Sequence, residues 1–149
     1  MATDIEWAWA AGLFEGEGSI AIPSDPSKHR AVIMSVGMTD EDVVRKFHAV
    51  VGVGGVHGPS KPKRAEWSPA WVWASGKQND VKFVIERFLP FLGKRRFRRV
   101  HEALEYIKHN FKYPDLASYL RSEAHTAALA KGRAVKARND ELRKLEMVG

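Results

Sequence analysis

Residues 9–20 read Trp9-Ala10-Ala11-Gly12-Leu13-Phe14-Glu15-Gly16-Glu17-Gly18-Ser19-Ile20, and the rest of the chain is arranged around them. The stretch begins as a helix, in which Ile5, Trp9, Leu13 and the flanking Phe14 form a bulky apolar stripe at helical spacing. Ala8, Gly12 and Gly16 recur every four residues beside that stripe. They leave a face with almost no side chain, which admits a second backbone at close range. Gly16 and Gly18 are expected to stop the helix in positive-φ conformations. A β-like run, Ser19-Ile20-Ala21-Ile22, follows.

Glu15 and Glu17 stand at the C-terminal end of this helix, where the macrodipole is already negative. An acid there costs only about 0.3–1 kcal/mol at an exposed site. Two readings therefore stay open on physical grounds. The end is simply solvated, or it holds a divalent cation, since hard cations take carboxylate and carbonyl oxygens together.

The segment Ala10-Ala11-Gly12-Leu13-Phe14-Glu15-Gly16-Glu17-Gly18 resembles the LAGLIDADG motif of homing endonucleases, with Ala10 where Leu is usual and Glu at both acidic positions. The resemblance implies that two αββαββα units pack along their small-residue helix faces, here Ala8, Gly12 and Gly16. It also implies that Glu17 binds the catalytic metal, Mg2+ or another divalent cation such as Mn2+, with the Gly16 carbonyl as a further ligand. Glu15 is expected to face a neighbouring helix end or loop instead.

Outward from the motif, the chain reads as helix, hairpin, helix, hairpin, helix. Residues 19–24 form a first strand and Arg30 to Met38 a second, with Val32, Met34, Val36 and Met38 alternating towards a core. Thr39 or Asp40 caps a helix that Gly52 ends. Val53 to Pro59 is a glycine-rich third strand, and Trp67 to Ser75 a fourth in which neither parity is favoured for the core. Helices open at Gln78-Asn79-Asp80 and at about Lys94, and two more helical pieces follow Pro114. This is an α+β architecture with helices on one face of an antiparallel sheet. It is also the αββαββα order of the LAGLIDADG fold, so the resemblance extends over about residues 4–110. Residues 1–112 are read as the endonuclease core and 113–149 as a C-terminal helical extension of the same domain. A single motif in 149 residues implies a homodimer.

The formal net charge of +6 and a pI of about 9.7 point to a polyanionic partner, because Lys and Arg gain affinity by displacing phosphate counterions. The densest charge is Lys94-Arg95-Arg96-Phe97-Arg98-Arg99, with five cations in six residues at a helix start. Such a run is a solvated face or a phosphate site. By resemblance, residues 90–95 correspond to the family segment that supplies a catalytic-site lysine, so Lys94 and Arg95 are both candidates. Arg98 and Arg99 read as phosphate contacts or as salt-bridge partners of Glu102 and Glu105. For base readout by an antiparallel ribbon in the major groove, Ser19, Ala21, Ser35, Gly37 and His57 would face DNA, with Lys28, Arg30, Lys61, Lys63 and Arg64 in flanking loops. Several of these positions are small, short of the Arg, Gln and Asn that usually read bases. The tryptophans are read as core, not as stacking platforms. The basic C-terminal residues Lys131, Arg133, Lys136, Arg138, Arg143 and Lys144 suit either phosphates or solvent.

Other chemistries fail on their spacing. The absence of cysteine excludes disulfides and thiolate metal sites. His101-Glu102 opens like a zinc-protease motif, but Glu105 stands where its second histidine belongs. No apolar run approaches the ~18 residues of a membrane span and no secretory leader is read, so the expected location is intracellular, in cytoplasm, nucleoid or an organelle. The sequence is thus read as a divalent-metal-dependent homing endonuclease that hydrolyses both strands of a long pseudo-palindromic DNA site as a homodimer. The alternative is a non-cleaving nucleic-acid-binding protein on the same fold, an RNA-splicing maturase or a DNA-binding regulator.

Overall fold

The computed structural model describes residues 1–28, 30–111 and 123–148. They fall into two compact units, Met1–Lys112 and Tyr113–Gly149. The first unit runs α1 (Asp4–Glu17), β1 (Gly18–Ala21), β2 (Ile33–Met38), α2 (Glu41–Val51), β3 (Gly55–His57), β4 (Trp71–Ser75), α3 (Gln78–Phe88) and α4 (Lys94–Asn110), with single 3-10 turns at Pro26–Lys28 and Leu89–Phe91. The described part of the second unit is one helix, α5 (Glu123–Val148), which carries the basic residues from Lys131 to Lys144. The helical piece expected at 116–121 lies outside the described residues.

The four strands make one antiparallel sheet in the order β1-β2-β4-β3. α1 packs against β1, β2, α2 and α3, and α2 lies over β2, β3 and β4. The alternation of each strand then separates a covered face from an open one. Ile20, Met34, Val36, Trp73 and Ser75 turn inward, while Ser19, Ala21, Ile33, Ser35, Gly37, Val72, Ala74, Gly55 and His57 share the other face. Between helices and sheet, Trp7, Phe14, Phe47, Trp73 and Phe88 interlock, with ring centroids 4.9–6.1 Å apart in mostly edge-on contacts. Each such side chain contributes about 1.5–3 kcal/mol by burial. Gln78 completes the entrance to β2 by accepting from the Val32 N–H at 3.1 Å and donating to the Val32 carbonyl at 3.0 Å.

Several expectations are corrected here. The buried arc of α1 is Trp7, Ala10, Ala11 and Phe14, whereas Ile5 is 82% exposed and Trp9 and Leu13 sit at the margin. Bulk is a misleading guide because the helix is wedged between the sheet and two helices, and alanine at positions 10 and 11 lets it approach. The strands are shorter than the apolar runs: Pro23, Gly54, Gly58-Pro59 and Pro69 flank β1, β3 and β4, and β2 starts only at Ile33, after Val32 has given both backbone groups to Gln78. Trp67 lies before β4 and is half exposed, so it is not core. The parity of β4 is settled by Trp73, which is fully buried and donates from Nε1 to the Val53 carbonyl at 2.8 Å.

Of the helix ends, that of α2 is as expected and that of α1 is not, because Gly16 stays within the helix and neither Gly16 nor Gly18 takes a positive φ. Gly52 closes α2 in the left-handed region at φ 70°, ψ 2°. Gly18 closes α1 in extended backbone at φ −80°, ψ 156°. Its bareness answers to packing, because a Cβ at Gly18 would collide with the Phe14 ring. Asp40 occupies the cap position of α2 without a side-chain bond. α1 carries a complete capping box, in which Thr3 Oγ1 accepts from the Glu6 N–H at 3.2 Å and Glu6 Oε2 accepts from the Thr3 N–H at 2.7 Å. The Thr3 backbone N–H, followed by its hydroxyl, holds the Glu6 carboxyl below the usual value near 4.5.

Candidate functional site

The charged residues of the motif and of the basic run meet where α1 ends and α4 begins. Glu17 is the last residue of α1 and is exposed. Among the described residues it forms no ion pair and no side-chain hydrogen bond. Glu15, two residues earlier, points elsewhere: its Oε2 accepts from the backbone N–H of Gly93, the residue that caps α4, at 3.1 Å. That contact lets a carboxylate face the positive end of α4, which a run of five cations otherwise leaves uncompensated.

Across the same junction, Arg96 donates to the carbonyls of Glu15 and Gly18, and its guanidinium lies 5.3 Å from the Phe14 ring centroid. Arg99 donates to the Ile20 carbonyl at 3.4 Å and pairs with Glu102 at 2.9 Å. Lys94, Arg95 and Arg98 are exposed, and among the described residues they form no ion pair. The result is a cleft of about 550 Å3 with residues 18–20 on one wall and Lys94, Arg95, Arg96, Arg98, Arg99 and Glu102 on the other. The structure therefore brings both candidate lysine positions, Lys94 and Arg95, into a cleft whose opposite wall starts one residue after Glu17. Ser19 belongs both to that wall and to the open sheet face, so cleft and face are continuous.

The donor set at the helix end suits a shared cation better than a closed protein cage. Among the described residues no three His, Cys, Asp or Glu groups cluster to hold a metal. One exposed carboxylate with the adjacent Gly16 carbonyl matches the habit of magnesium, which keeps waters and completes its shell with substrate phosphate oxygens. Gly16 and Gly12 are exposed, and a Cβ built on either meets no atom within 4 Å. With half-buried Ala8 they form the bare face of α1.

The open sheet face is smooth. In the pairing register, Ser19, Ser35, Ala74 and Gly55 make one row across all four strands, and Gly37, Val72 and His57 make another. The cations lie at its margins. Lys28 is tied to Asp25 at 3.5 Å, while Arg30, Lys61, Lys63 and Arg64 are exposed. Arg64 lies over the exposed Trp67 ring at 5.4 Å. Sequence reasoning missed two things here, the joining role of Arg96 and the availability of Trp67 as a surface aromatic. An aromatic in a proline-broken basic loop was the usable signal for Trp67. Arg96 had none, because its acceptors are backbone carbonyls.

No family model matches this chain, and no curated protein matches it by sequence. Solved structures do match. The chain is similar to the homing endonuclease I-CvuI in complex with its target in the presence of calcium, with a TM-score of 0.57 and 20% identity over 73% of this chain and 69% of that one. It is similar to the group I intron-encoded homing endonuclease I-CeuI complexed with DNA, at 0.55 and 17% over 82% and 64%. It is also similar to the LAGLIDADG meganuclease I-CpaMI bound to uncleaved DNA, at 0.53 and 14%, where 77% of this chain spans 40% of the other. At these identities the likeness speaks for architecture, and together with the αββαββα order it is decisive: the chain has the fold of the LAGLIDADG homing endonucleases.

Proposed function

We propose that this chain is a divalent-metal-dependent, site-specific double-strand DNA endonuclease that acts as a homodimer. The observation that carries the reading is Glu17, exposed and unpaired among the described residues at the end of the motif helix, next to a five-cation cleft that opens onto a bare sheet face. DNA in the neighbouring structures supports the substrate class, and calcium or magnesium in the I-CvuI structures supports the cofactor.

On this reading the open face lies along a groove and the marginal Arg30, Lys61, Lys63 and Arg64 hold phosphates. Small residues at Ser19, Ala21, Ser35 and Gly37 let the sheet approach closely, and His57 and Ser35 are its polar readers. Glu17 and the Gly16 carbonyl would hold the cation, which when bound would supply charge neutralisation and a more acidic water. Lys94 and Arg95 donate to the non-bridging oxygens of the same phosphate, and Arg98 to a neighbouring one. The water oxygen bonds to phosphorus as the bond to the leaving sugar oxygen breaks; the water gives a proton to solvent, and the leaving oxygen takes one from solvent to become a hydroxyl.

One motif helix supplies one Glu17, so cutting both strands requires two chains. The bare face formed by Ala8, Gly12 and Gly16 suits an isologous contact with a second copy, and a dimer of that kind reads a pseudo-palindromic site.

The test is incubation of the purified protein with DNA that joins the flanks of its own gene, in magnesium and then in a chelator. Magnesium-dependent double-strand cutting at one position is the expected result. Tight binding with no cutting in any divalent metal overturns the nuclease and leaves a maturase or regulator.

A further inference from the structure

The junction between α1 and α4 is tied by three hydrogen bonds, one through a side chain of α1 and two through a side chain of α4. A side chain of α1, Glu15, accepts from the backbone N–H of Gly93 at the start of α4 at 3.1 Å. A side chain of α4, Arg96, donates to the backbone carbonyls of Glu15 and Gly18 at the end of α1 and lies over Phe14. The placement of these anchors is specific. On one side, residues 15 and 18 flank Glu17; on the other, residues 93 and 96 flank Lys94 and Arg95. A closed loop of hydrogen bonds thus brackets the proposed metal ligand and the proposed phosphate contacts, and touches neither.

We infer that Glu15 and Arg96 are positioning residues that hold the Glu17 carboxylate and the Lys94–Arg95 pair in a fixed relative placement. This inference rests on the nuclease reading above. Both side chains look like members of the chemistry, one an acid of the motif and the other a cation lining the cleft. Their bonds engage them elsewhere. Glu15 is oriented to a helix start and not to a cation. Arg96 is half-buried in the cleft wall with its donors on carbonyl oxygens, unlike the exposed Lys94, Arg95 and Arg98. A guanidinium suits this place because it reaches two carbonyls from one plane while resting on a ring, which an ammonium cannot do. Misplacement of reacting groups by about 1 Å is worth on the order of a hundredfold in rate, so a brace of this kind acts on turnover and not on DNA affinity.

The experiment compares wild type with Arg96→Gln, Arg96→Lys, Glu15→Ala and Glu15→Gln in three measurements. These are DNA affinity in calcium, single-turnover cleavage rate across a magnesium titration, and hydrogen exchange of the free protein. Arg96→Gln and Glu15→Ala are expected to keep DNA affinity within about threefold. Each is expected to slow cleavage about ten- to a hundredfold and to raise the magnesium concentration at half-maximal rate. Glu15→Gln keeps a carbonyl acceptor for Gly93 and should recover most of the rate, whereas Arg96→Lys should recover little. In the free protein, Arg96→Gln should speed exchange at residues 15–18 and 93–97 together. Wild-type cleavage rates in both Arg96→Gln and Glu15→Ala overturn the inference. So does a loss of rate that only follows the loss of folded, DNA-binding protein. If wild type cuts no DNA in any divalent metal, the nuclease reading fails, and exchange that stays unchanged in Arg96→Gln then overturns the brace itself.

Discussion

The corner where α1 meets α4 and the open face of the sheet are adjoining parts of one surface, yet they are built on opposite rules. The corner is crowded with charge, and two of its long side chains, Arg96 and Arg99, are committed to carbonyls of α1 and β1. The sheet face carries serine, alanine, glycine and valine at most outward positions and no Lys, Arg, Asp or Glu within its four strands. On the proposed reading, chemistry needs groups held at fixed separation, and it sits where helix ends, a cap and guanidinium–carbonyl bonds over-determine the geometry. Contact with a long polyanion needs shape and a charged rim. A smooth face bordered by loops supplies both.

This division is open to attack from either side. The largest effect is expected for Glu17→Gln, which should lower the cleavage rate by about a thousandfold or more, the scale of several kcal/mol from one lost metal ligand. DNA affinity in calcium should stay within a few-fold, as a gel-shift titration would show. A comparable loss of binding would mean that corner and face are not separable. Next in size, Ser35→Trp would place a large ring at the centre of the open face, where Ser35 opposes both Ser19 and Ala74. DNA affinity should fall about ten- to a hundredfold, on the scale of one or two mismatched base pairs. The melting temperature should hardly move, because the position is on the uncovered face.

Smaller again is the effect of changing Lys61, Lys63 and Arg64 together to Ala. Affinity should fall at low salt, and the slope of log affinity against log salt should flatten by about 0.9 for each phosphate contact removed. An unchanged slope would assign the phosphate contacts elsewhere on the rim. The smallest effect lies outside both regions, in the capping box of α1. The folded pKa of Glu6 is held below about 4.5, so its contribution is complete above that value and fades as pH falls through the lower folded pKa. Glu6→Gln should therefore melt slightly below wild type at neutral pH and match it in acid. A constant gap across pH would show that packing, not the carboxylate, accounts for the difference.

Much of the fold was legible because alternation and helical spacing are local. Met34 and Val36 announced the inward face of β2, and Gly52 announced the end of α2. The buried arc of α1 was not legible, since four faces of that helix are apolar or small and only its neighbours decide which is covered. Glu17 was legible as one of two acids in a motif of small residues, and the structure leaves it exposed at the end of α1. The turn of Glu15 towards a neighbouring helix end was expected, though not which end; the role of Arg96 was hidden, because its partners are main-chain atoms 78 and 81 positions away in the sequence.

The bareness of the open sheet face has a practical side. Small residues at Ser19, Ala21, Ser35, Gly37, Ala74 and Gly55 stand in rows across the strands, with nothing of the core behind their side chains. On the proposed reading, a designer who wished to redirect this protein would not have to remove an existing set of long base-reading side chains. Such groups could be written onto a nearly blank surface, two residues apart along each strand, while the corner that cuts stays as it is.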